Sequence, residues 1–278
     1  MQNAQLKMEP LPTRKEPGNA MRFATYNLWN SEQGMPRRAF WQREALSRAA
    51  ADVACLQEVP CAASAEALAR ALGYPYVHFA AYPGEEEGLA MLSRLPLMDC
   101  RALYPKARAI YAAVICQGQR VGVANLHLPW DSPLQRERET VALLDCLRAE
   151  ACDQLLLMGD FNTSPRASVH GFLLGDCTLN GAEARPCFYD LAQSFAQHQG
   201  VEPEATLDFQ RNPRFAGNTV EINGRFDRIY LRNPYPAPFS TLLCCDVFGR
   251  EICPDNGLAA SDHWGVMAEL AFDAPHEQ

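Results

Sequence analysis

Several features are scarce or absent in this chain of 278 residues, and each absence narrows the class of protein. No apolar run approaches the roughly 20 residues that a membrane-spanning helix needs. The N-terminal segment carries charged residues and prolines and lacks the apolar core of a secretory signal. We therefore expect a soluble protein with a cytoplasmic location.

Paired cysteine motifs are missing, although the chain has 11 cysteines. The count is odd, no two cysteines have the Cys-x-x-Cys spacing of structural zinc sites, and some lie in apolar runs such as Ala54-Cys55-Leu56. In a chain of this size such cysteines pack as free thiols more often than they form a disulfide framework. The sequence predicts reduced cysteines and no structural zinc site.

A surplus of basic residues is also absent, because 25 lysines and arginines stand against 33 aspartates and glutamates and leave a net charge of −8. Proteins that bind long duplexes usually carry a basic surface, since neutralised phosphates supply most of their affinity. An acidic chain can still bind a short anionic segment through a metal ion and a few arginines. The charge therefore argues against extended contact with DNA.

The chain shows no internal repeat, low-complexity tract or linker, which predicts a single domain at residues 21–273. Residues 1–20 are rich in proline, lysine and glutamate without periodicity, so we expect a flexible lead. Within the domain, apolar strand-like runs alternate with helical segments such as 37–51 and 62–72. The stretch from about 175 to 223 lacks periodicity and predicts a long irregular loop.

The most informative stretch is the apolar run Leu155-Leu156-Leu157-Met158, which stops at Gly159 and is followed by Asp160 and Asn162. The run predicts a buried strand, and Ser164-Pro165 predicts the start of a helix. Asp160 and Asn162 then lie on a strand-to-helix turn, where ligands bind in layered α/β folds. Oxygen ligands of this kind suit a magnesium-like ion, although both residue types also favour plain turns.

The same pattern, an apolar run that ends in a polar group, recurs along the chain. Glu58 ends a run that is apolar on both faces, where a carboxylate is costly unless it is paired or binds a metal ion. Asn27 ends an earlier run and either orients a ligand or closes a turn. His127 ends a third run, and a single histidine there is more often a core residue than a donor to an oxyanion. The adjacent Asp262 and His263 precede the last strand, and packing alone does not require two such groups side by side.

Six segments, taken in order, carry a resemblance to a known superfamily. They are Thr25-Tyr26-Asn27-Leu28-Trp29, Leu56-Gln57-Glu58-Val59, Asn125-Leu126-His127-Leu128, Gly159-Asp160-Phe161-Asn162, Arg225-Phe226-Asp227-Arg228 and Ser261-Asp262-His263-Trp264-Gly265. The chain resembles the endonuclease/exonuclease/phosphatase superfamily, and the last two segments look most like its tyrosyl-DNA phosphodiesterase 2 branch. This resemblance implies a four-layer α/β/β/α sandwich of two packed mixed sheets with outer helices, the DNase I-like fold.

The resemblance also implies an enzyme that hydrolyses a phosphodiester with the help of magnesium, manganese being the alternative ion. Glu58 would be the principal metal ligand, with Asn27 and Asp262 completing the shell. Asp160 would activate or align the attacking water, helped by Asn162. These roles agree with the chemistry, because a cation and a carboxylate are needed where charge develops and where the water attacks.

The two histidines of the motifs would contact the phosphoryl oxygens. His263 would be oriented by Asp227, whose charge would raise the pKa of the imidazole and make it a donor. Asp160 is then the more suitable base. Glu87 matches a position at which some deoxyribonuclease-like members pair a glutamate with the histidine corresponding to His127.

The expected substrate contacts are Arg225, Arg228, Trp264 and the segment 209–215. We expect the substrate to be a nucleic-acid end, a single strand or a 5′-tyrosyl adduct, bound by a monomer without stable membrane association. One alternative is a phosphodiesterase of a small molecule or a lipid headgroup, which the acidic charge favours. The other is a binding module without catalysis, which the filled catalytic positions disfavour.

Overall fold

The computed structural model describes residues 19–272, which form two packed β-sheets with helices outside. The strands are β1 (Ala20–Asn27), β2 (Val53–Val59), β3 (Tyr76–Ala81), β4 (Gly88–Ser93), β5 (Met98–Ala102), β6 (Ala109–Cys116), β7 (Gln119–His127), β8 (Gln154–Asp160), β9 (Phe188–Asp190), β10 (Asp227–Arg232), β11 (Thr241–Phe248) and β12 (Gly265–Ala271). The α-helices of the described residues are α1 (Arg37–Ala49), α2 (Ala62–Leu72), α3 (Pro133–Leu147), α4 (Ser168–Leu174) and α5 (Leu191–Gln199).

Each sheet has six strands, in the orders β11-β12-β1-β2-β4-β3 and β5-β6-β7-β8-β10-β9. The pairs β1–β2 and β7–β8 are parallel and their neighbours are antiparallel, so both sheets are mixed. Apolar side chains from the facing surfaces form the central core, among them Phe23 and Val53 from one sheet and Val123 and Met158 from the other. This burial removes both apolar faces from water and holds the sheets together.

Helices cover the two outer faces and complete the four layers. Leu46 of α1 and Ala65 of α2 pack on the first sheet, and Leu143 of α3 and Phe172 of α4 pack on the second. The predicted four-layer sandwich is confirmed. The helix predicted over 62–72 is also confirmed, and it ends at Gly73 in the left-handed region at a φ of 72°.

The predicted start of a helix at Ser164-Pro165 is wrong. The backbone N–H of Ala167 donates to the carbonyl of Ser164 at 3.1 Å, which closes a turn, and α4 begins at Ser168. The chain between Asp160 and α4 is therefore longer than a simple strand-to-helix turn.

The irregular loop predicted from about 175 to 223 contains three regular elements, β9, α5 and a 3-10 helix at Pro213–Phe215. Three residues are too few for a period to show in the sequence, which is why β9 was missed. The side chain of Asp190 accepts from the backbone N–H of Gln193 at 3.1 Å and caps α5. Most of the predicted flexible lead, residues 1–18, and residue 273 of the predicted domain lie outside the described residues.

No helix within residues 19–272 has the length and apolar character needed to cross a bilayer. The 11 cysteines all fall in this part of the chain, and each is a free thiol. The structure therefore depends on packing and hydrogen bonds rather than on covalent cross-links.

Candidate active site

Strand ends bring the predicted residues to one edge of the sandwich. His127 at the end of β7 is in register with Asp160 at the end of β8, and Asp160 is in register with Asp227 at the start of β10. In the facing sheet, Asn27 at the end of β1 is in register with Gln57 of β2. Because parallel strands end at the same edge of a sheet, polar groups distant in the sequence become neighbours.

Asp160 lies at the centre of this group and is fully buried. Its Oδ2 accepts a hydrogen bond from Nδ2 of Asn27 at 3.0 Å, and its Oδ1 accepts from the backbone N–H of Asn162 at 2.7 Å. The same Oδ2 lies 3.6 Å from Nε2 of His127 and 3.9 Å from Nε2 of His263. Both histidines thus face one carboxylate oxygen at distances beyond a direct hydrogen bond.

His263 is held by Asp227, through an Nδ1 to Oδ2 distance of 2.8 Å. Burial by itself lowers the pKa of His263, but the charges of Asp227 and Asp160 outweigh it and raise that pKa well above the usual 6.5. Burial raises the pKa of Asp227, and the charge of His263 opposes this. The structure shows the pairing that the sequence analysis expected, and the raised pKa favours the protonated imidazole, whose Nε2 makes no direct hydrogen bond to Asp160.

His127 is held by a residue that the sequence analysis did not identify. Its Nδ1 lies 2.9 Å from the hydroxyl of Tyr82, which directly follows β3. Burial, with smaller contributions from nearby tyrosine and glutamate groups, raises the pKa of Tyr82, so the hydroxyl keeps its proton. The expected pairing of Glu87 with His127 is not present, because the Glu87 carboxylate accepts from Nδ2 of Asn30 at 2.6 Å.

Glu58 reaches the site through an irregularity in β2. The pairing of β2 with β4 shifts between Leu56 and Val59, and Glu58 adopts a φ of 53° in the left-handed region. Such a bulge redirects one side chain out of the regular alternation. A left-handed glutamate is strained, and strain of this kind concentrates at functional sites.

Asn27 does not fit the metal-ligand role that the sequence analysis gave it. The backbone N–H of Trp29 donates to Oδ1 of Asn27 at 2.9 Å, and because a backbone N–H only donates, this contact fixes the orientation of the amide. Nδ2 of Asn27 therefore faces the site and donates to Glu58 at 3.0 Å as well as to Asp160. An N–H group does not ligate a cation, so Asn27 orients the two carboxylates instead.

The remaining acidic groups fit a divalent cation. Burial raises the pKa of Asp262, and the charges of Glu58 and Asp160 raise it further, against the charge of His263. Carboxylates that repel one another in this way are relieved by a cation, and oxygen ligands of this type prefer magnesium-like ions. We therefore assign Glu58 and Asp262 as the residues that would hold the ion.

Another group of candidate ligands is formed by Asp160, Asp227 and His263, whose ligand atoms all lie within 4.8 Å of one another. We do not assign the ion there, because Nδ1 of His263 is already bonded to Asp227 and a protonated imidazole repels a cation.

The three single residues expected to contact substrate are buried elsewhere. The guanidinium groups of Arg225 and Arg228 both pair with the carboxylate of Asp190, and the exposed fractions of the two arginine side chains are 9% and 2%. Trp264 is 1% exposed. These residues stabilise the fold around the site, and the expectation that they contact substrate is wrong for this structure, because their charges and surfaces already have partners within the protein.

Further residues hold the site, and the sequence analysis assigned them no role although they stand in two of the motif segments. Nε2 of Gln57 donates to Oδ1 of Asn125 at 2.7 Å, and Nδ2 of Asn125 donates to the carbonyl of Leu56 at 3.0 Å, which links the two sheets beneath Glu58 and His127. Asn125 begins one of the six motif segments, and its polar side chain lies inside an apolar core, but the sequence analysis gave it no role of its own.

Arg38, which is fully buried on α1, was missed as well. Its guanidinium donates to the carbonyl of Trp29 at 3.0 Å and to that of Ala260 at 3.0 Å. One side chain thus ties the loop after β1 to the loop before Asp262. Nothing in the helical pattern of 37–51 distinguished this arginine from a solvent-exposed one.

Comparison with known proteins places this site in a family. The model of the Endonuclease/Exonuclease/phosphatase family matches residues 24–263. The structure of D. rerio TDP2 humanized by 14 mutations is similar, with a TM-score of 0.72, 20% identity and coverage of 91% of this chain and 99% of that chain. D. rerio TDP2 complexed with a single strand DNA product gives a TM-score of 0.71 at 21% identity, with the same coverage of 91% and 99%.

ANGEL2, described as a 2′,3′-cyclic phosphatase, is also similar, with a TM-score of 0.64 at 13% identity over 91% of this chain and 95% of that chain. Because the sequence identities to these three structures are low, the similarities show a shared fold. No curated protein sequence gives a significant match. The family model spans all six motifs apart from the last two residues of the sixth, and the chain therefore belongs to the Endonuclease/Exonuclease/phosphatase family as a metal-dependent phosphodiesterase.

Proposed function

We propose that this protein hydrolyses a phosphodiester at a nucleic-acid end or in a 5′-tyrosyl adduct, with magnesium as its metal ion. The observation that carries the proposal is the convergence of His127 and His263 on Oδ2 of Asp160, at 3.6 and 3.9 Å. At these distances neither ring makes a direct hydrogen bond to the carboxylate, so both Nε2 atoms keep a donor for a water or a phosphoryl oxygen that lies beside the three groups. A phosphate with its attacking water fits such an arrangement of one base and two donors.

Each side chain has a role that its contacts support. Asp160 aligns the attacking water and accepts its proton, and the backbone N–H of Asn162 and the amide of Asn27 hold the carboxylate in place. Protonated His263 donates from Nε2 to a phosphoryl oxygen, where negative charge grows in the transition state. His127 donates from its own Nε2 when Tyr82 donates to Nδ1.

Glu58 and Asp262 would hold the magnesium ion, which when bound neutralises charge on the phosphate and on the departing oxygen. Glu58 is itself held by the backbone N–H of Asn30, which donates to Oε2 at 2.9 Å, and by Asn27 at Oε1. Both contacts fix the carboxylate before the ion arrives. A carboxylate held in this way loses little freedom on binding.

The substrate class is supported by the folds to which the chain is similar. A related structure is described as complexed with single strand DNA product, and its fold matches 91% of this chain. The motifs around Asp227 and Asp262 resemble the same branch. A small-molecule diester or a lipid headgroup is the second candidate, because the net charge of −8 opposes binding of long polyanions.

The test is a substrate screen with purified protein in magnesium, in manganese and in EDTA. The substrates are a 5′-tyrosyl oligonucleotide, a plain single strand and bis-nitrophenyl phosphate. We expect metal-dependent release of tyrosine or of nucleotides that EDTA abolishes. Turnover of bis-nitrophenyl phosphate with no cleavage of either oligonucleotide would favour the second candidate, and turnover in EDTA would exclude the metal-assisted mechanism.

A further inference from the structure

Arg214 is an exposed cation held beside the metal side of the site. Its guanidinium carbon lies 5.2 Å from the centre of the Trp29 ring, and Trp29 is the residue whose backbone N–H is bonded to Asn27. The turn that carries Arg214 is anchored independently by Asn212, which is buried and donates from Nδ2 to the carbonyl of Ser261 at 2.9 Å. Two separate contacts therefore place Arg214 between the loop after β1 and the loop that contains Asp262.

The position of Arg214 is also fixed locally. The backbone N–H of Arg214 donates to Oδ1 of Asn212 at 3.0 Å, and its guanidinium carbon lies 5.9 Å from the ring centre of Phe215. Contact with two aromatic faces restricts the rotamers of a long side chain. Less conformational entropy is then lost when the guanidinium binds a ligand.

The charge of Arg214 has no acidic partner within 4.0 Å among residues 19–272. The arginines nearest to it in sequence are instead paired, Arg211 with Asp208 and Arg225 with Asp190. A guanidinium has a planar set of donors that matches a phosphate group. An unpaired and oriented guanidinium beside a phosphate-hydrolysing site is suited to an anionic part of the substrate.

The loop that follows Arg214 exposes two apolar side chains, Val220 at 84% and Ile222 at 85%. This loop is tied to the Arg214 turn, because the backbone N–H of Asn218 donates to the carbonyl of Phe215 at 2.9 Å. A cation followed by a connected loop with exposed apolar side chains can contact both the phosphate and the sugar or base of a nucleotide.

We propose that Arg214 binds the phosphate of the nucleotide next to the scissile phosphodiester, so that the preferred substrate is an oligonucleotide strand. This inference rests on the proposed function and makes its substrate class more specific. A zwitterionic lipid headgroup has no second phosphate to offer this guanidinium. One such phosphate contact would add affinity for a short polyanion, which a net charge of −8 otherwise opposes.

The test compares R214Q with the matched control R43Q. Arg43 is an arginine of α1 whose guanidinium carbon lies 5.2 Å from the ring centre of Phe40, and it too has no ion pair within the described chain. Binding of a fluorescein-labelled single-stranded 12-mer is measured by anisotropy in the Asp160→Asn background with magnesium, at several salt concentrations. We expect R214Q to weaken binding about tenfold and to reduce the slope of log Kd against log salt by roughly 0.7, the loss of one single-strand phosphate contact.

R43Q should leave both the dissociation constant and the salt slope as they are, and R214K should recover part of the affinity. With otherwise unmutated enzyme, R214Q should raise KM for the 12-mer and leave kcat within about twofold. Unchanged binding and an unchanged salt slope in R214Q would overturn the inference. It would also be overturned if the unmutated protein pelleted with sphingomyelin vesicles and R214Q did not. If Arg214-dependent binding is found while unmutated enzyme cleaves no strand, the proposed function fails and the phosphate contact stands.

Discussion

At the scale of single residues, the position of Asp160 explains why two histidines and an amide point to one oxygen. The amide of Asn27 bonds Oδ2 at 3.0 Å, whereas the two imidazole nitrogens stay at 3.6 and 3.9 Å. The nearer contact fixes the carboxylate, and the longer ones leave both imidazole nitrogens without a direct hydrogen bond to it. Replacement of Asp160 therefore removes the base without removing the donors.

We predict that Asp160→Asn lowers kcat for phosphodiester hydrolysis by roughly 10² to 10⁴, the usual contribution of a general base. The amide has nearly the shape of the carboxylate, so KM should change little. Steady-state kinetics in magnesium measure both constants. The control is Asp176→Asn, an exposed aspartate after α4, which should leave both constants as they are. Undiminished turnover in Asp160→Asn would refute the assigned mechanism.

Asp227 acts on the reaction through His263. Because the carboxylate raises the pKa of the imidazole, His263 is fully protonated below pH 6.5 and loses its proton only as the pH rises through its elevated value. Asp227→Asn should move this loss to lower pH, so that the alkaline decline of kcat begins earlier. An NMR titration of the His263 ring and a pH–rate profile measure the shift. An identical titration in the variant would show that Asp227 does not set the protonation state, and Asp145→Asn on α3 is the control.

At the scale of elements, the end of β8 depends on the close approach of two strands. Gly159 has a φ of 149°, and a Cβ atom there would lie 1.9 Å from the carbonyl oxygen of Leu126 in β7. Only glycine allows the parallel pair to stay in register up to His127 and Asp160. The glycine before the aspartate is thus required by backbone packing rather than by chemistry.

We predict that Gly159→Ala lowers the free energy of unfolding by more than about 2 kcal/mol, because the backbone of β7 must move. Urea denaturation measures the change. Gly171→Ala in α4 is the matched control, since its added methyl would approach only Sγ of Cys177, at 3.2 Å, and alanine favours a helix. Equal stability of the two variants would contradict the proposed strand contact.

The bulge at Glu58 is a second feature at this scale. A regular β2 would direct consecutive side chains to alternate faces, and the shift between Leu56 and Val59 allows Gln57 to join the buried network while Glu58 enters the site. The motif Leu56-Gln57-Glu58-Val59 therefore serves both the core and the chemistry. Its two polar residues have separate partners.

At the scale of the whole molecule, metal binding should stabilise the fold. An ion that binds the native state and not the unfolded chain adds RT ln(1 + [L]/Kd) to stability. We predict that 10-fold to 100-fold excess of magnesium over its Kd raises the free energy of unfolding by about 1.4 to 2.7 kcal/mol. Thermal unfolding with magnesium and with EDTA measures the effect. Glu58→Gln should lose most of the magnesium-induced increase in the free energy of unfolding. The control Glu66→Gln, on α2, should keep this increase. The same increase in both variants would show that Glu58 is not a metal ligand.

Acid should destabilise the protein through His170. Burial, aided by the charge of Arg228, lowers the pKa of His170 from 6.5 to about 3. Between these values the unfolded chain binds a proton that the folded chain does not, so stability is present above pH 6.5 and falls by about 1.4 kcal/mol for each unit of acidification. Urea unfolding across this range, in the unmutated protein and in His170→Gln, isolates the contribution. Parallel stability curves would show that His170 is not the group responsible.

How much of the site could be predicted varies with the kind of residue. Glu58 and Asp160 were predicted because each follows or ends an apolar run, and His263 was predicted because it stands beside Asp262 before the last strand. The role of Tyr82 was not visible, because it bonds His127 from 45 positions away and resembles any tyrosine after a strand. Arg225 and Arg228 looked available for substrate because nothing local shows that Asp190 pairs with both.

The sequence by itself determined elements with a clear apolar pattern, such as β8 and α2, and the polar groups at strand ends, because apolar periodicity and turn chemistry act over a few residues. Only the tertiary structure decided what each polar group does. Asn27 presents its amide hydrogens to two carboxylates because the N–H of Trp29 takes its oxygen, and Arg214 stays unpaired because no carboxylate of the described chain reaches it. The physical reason is that hydrogen bonds and ion pairs depend on distance and direction between atoms, which are fixed only when the two sheets meet.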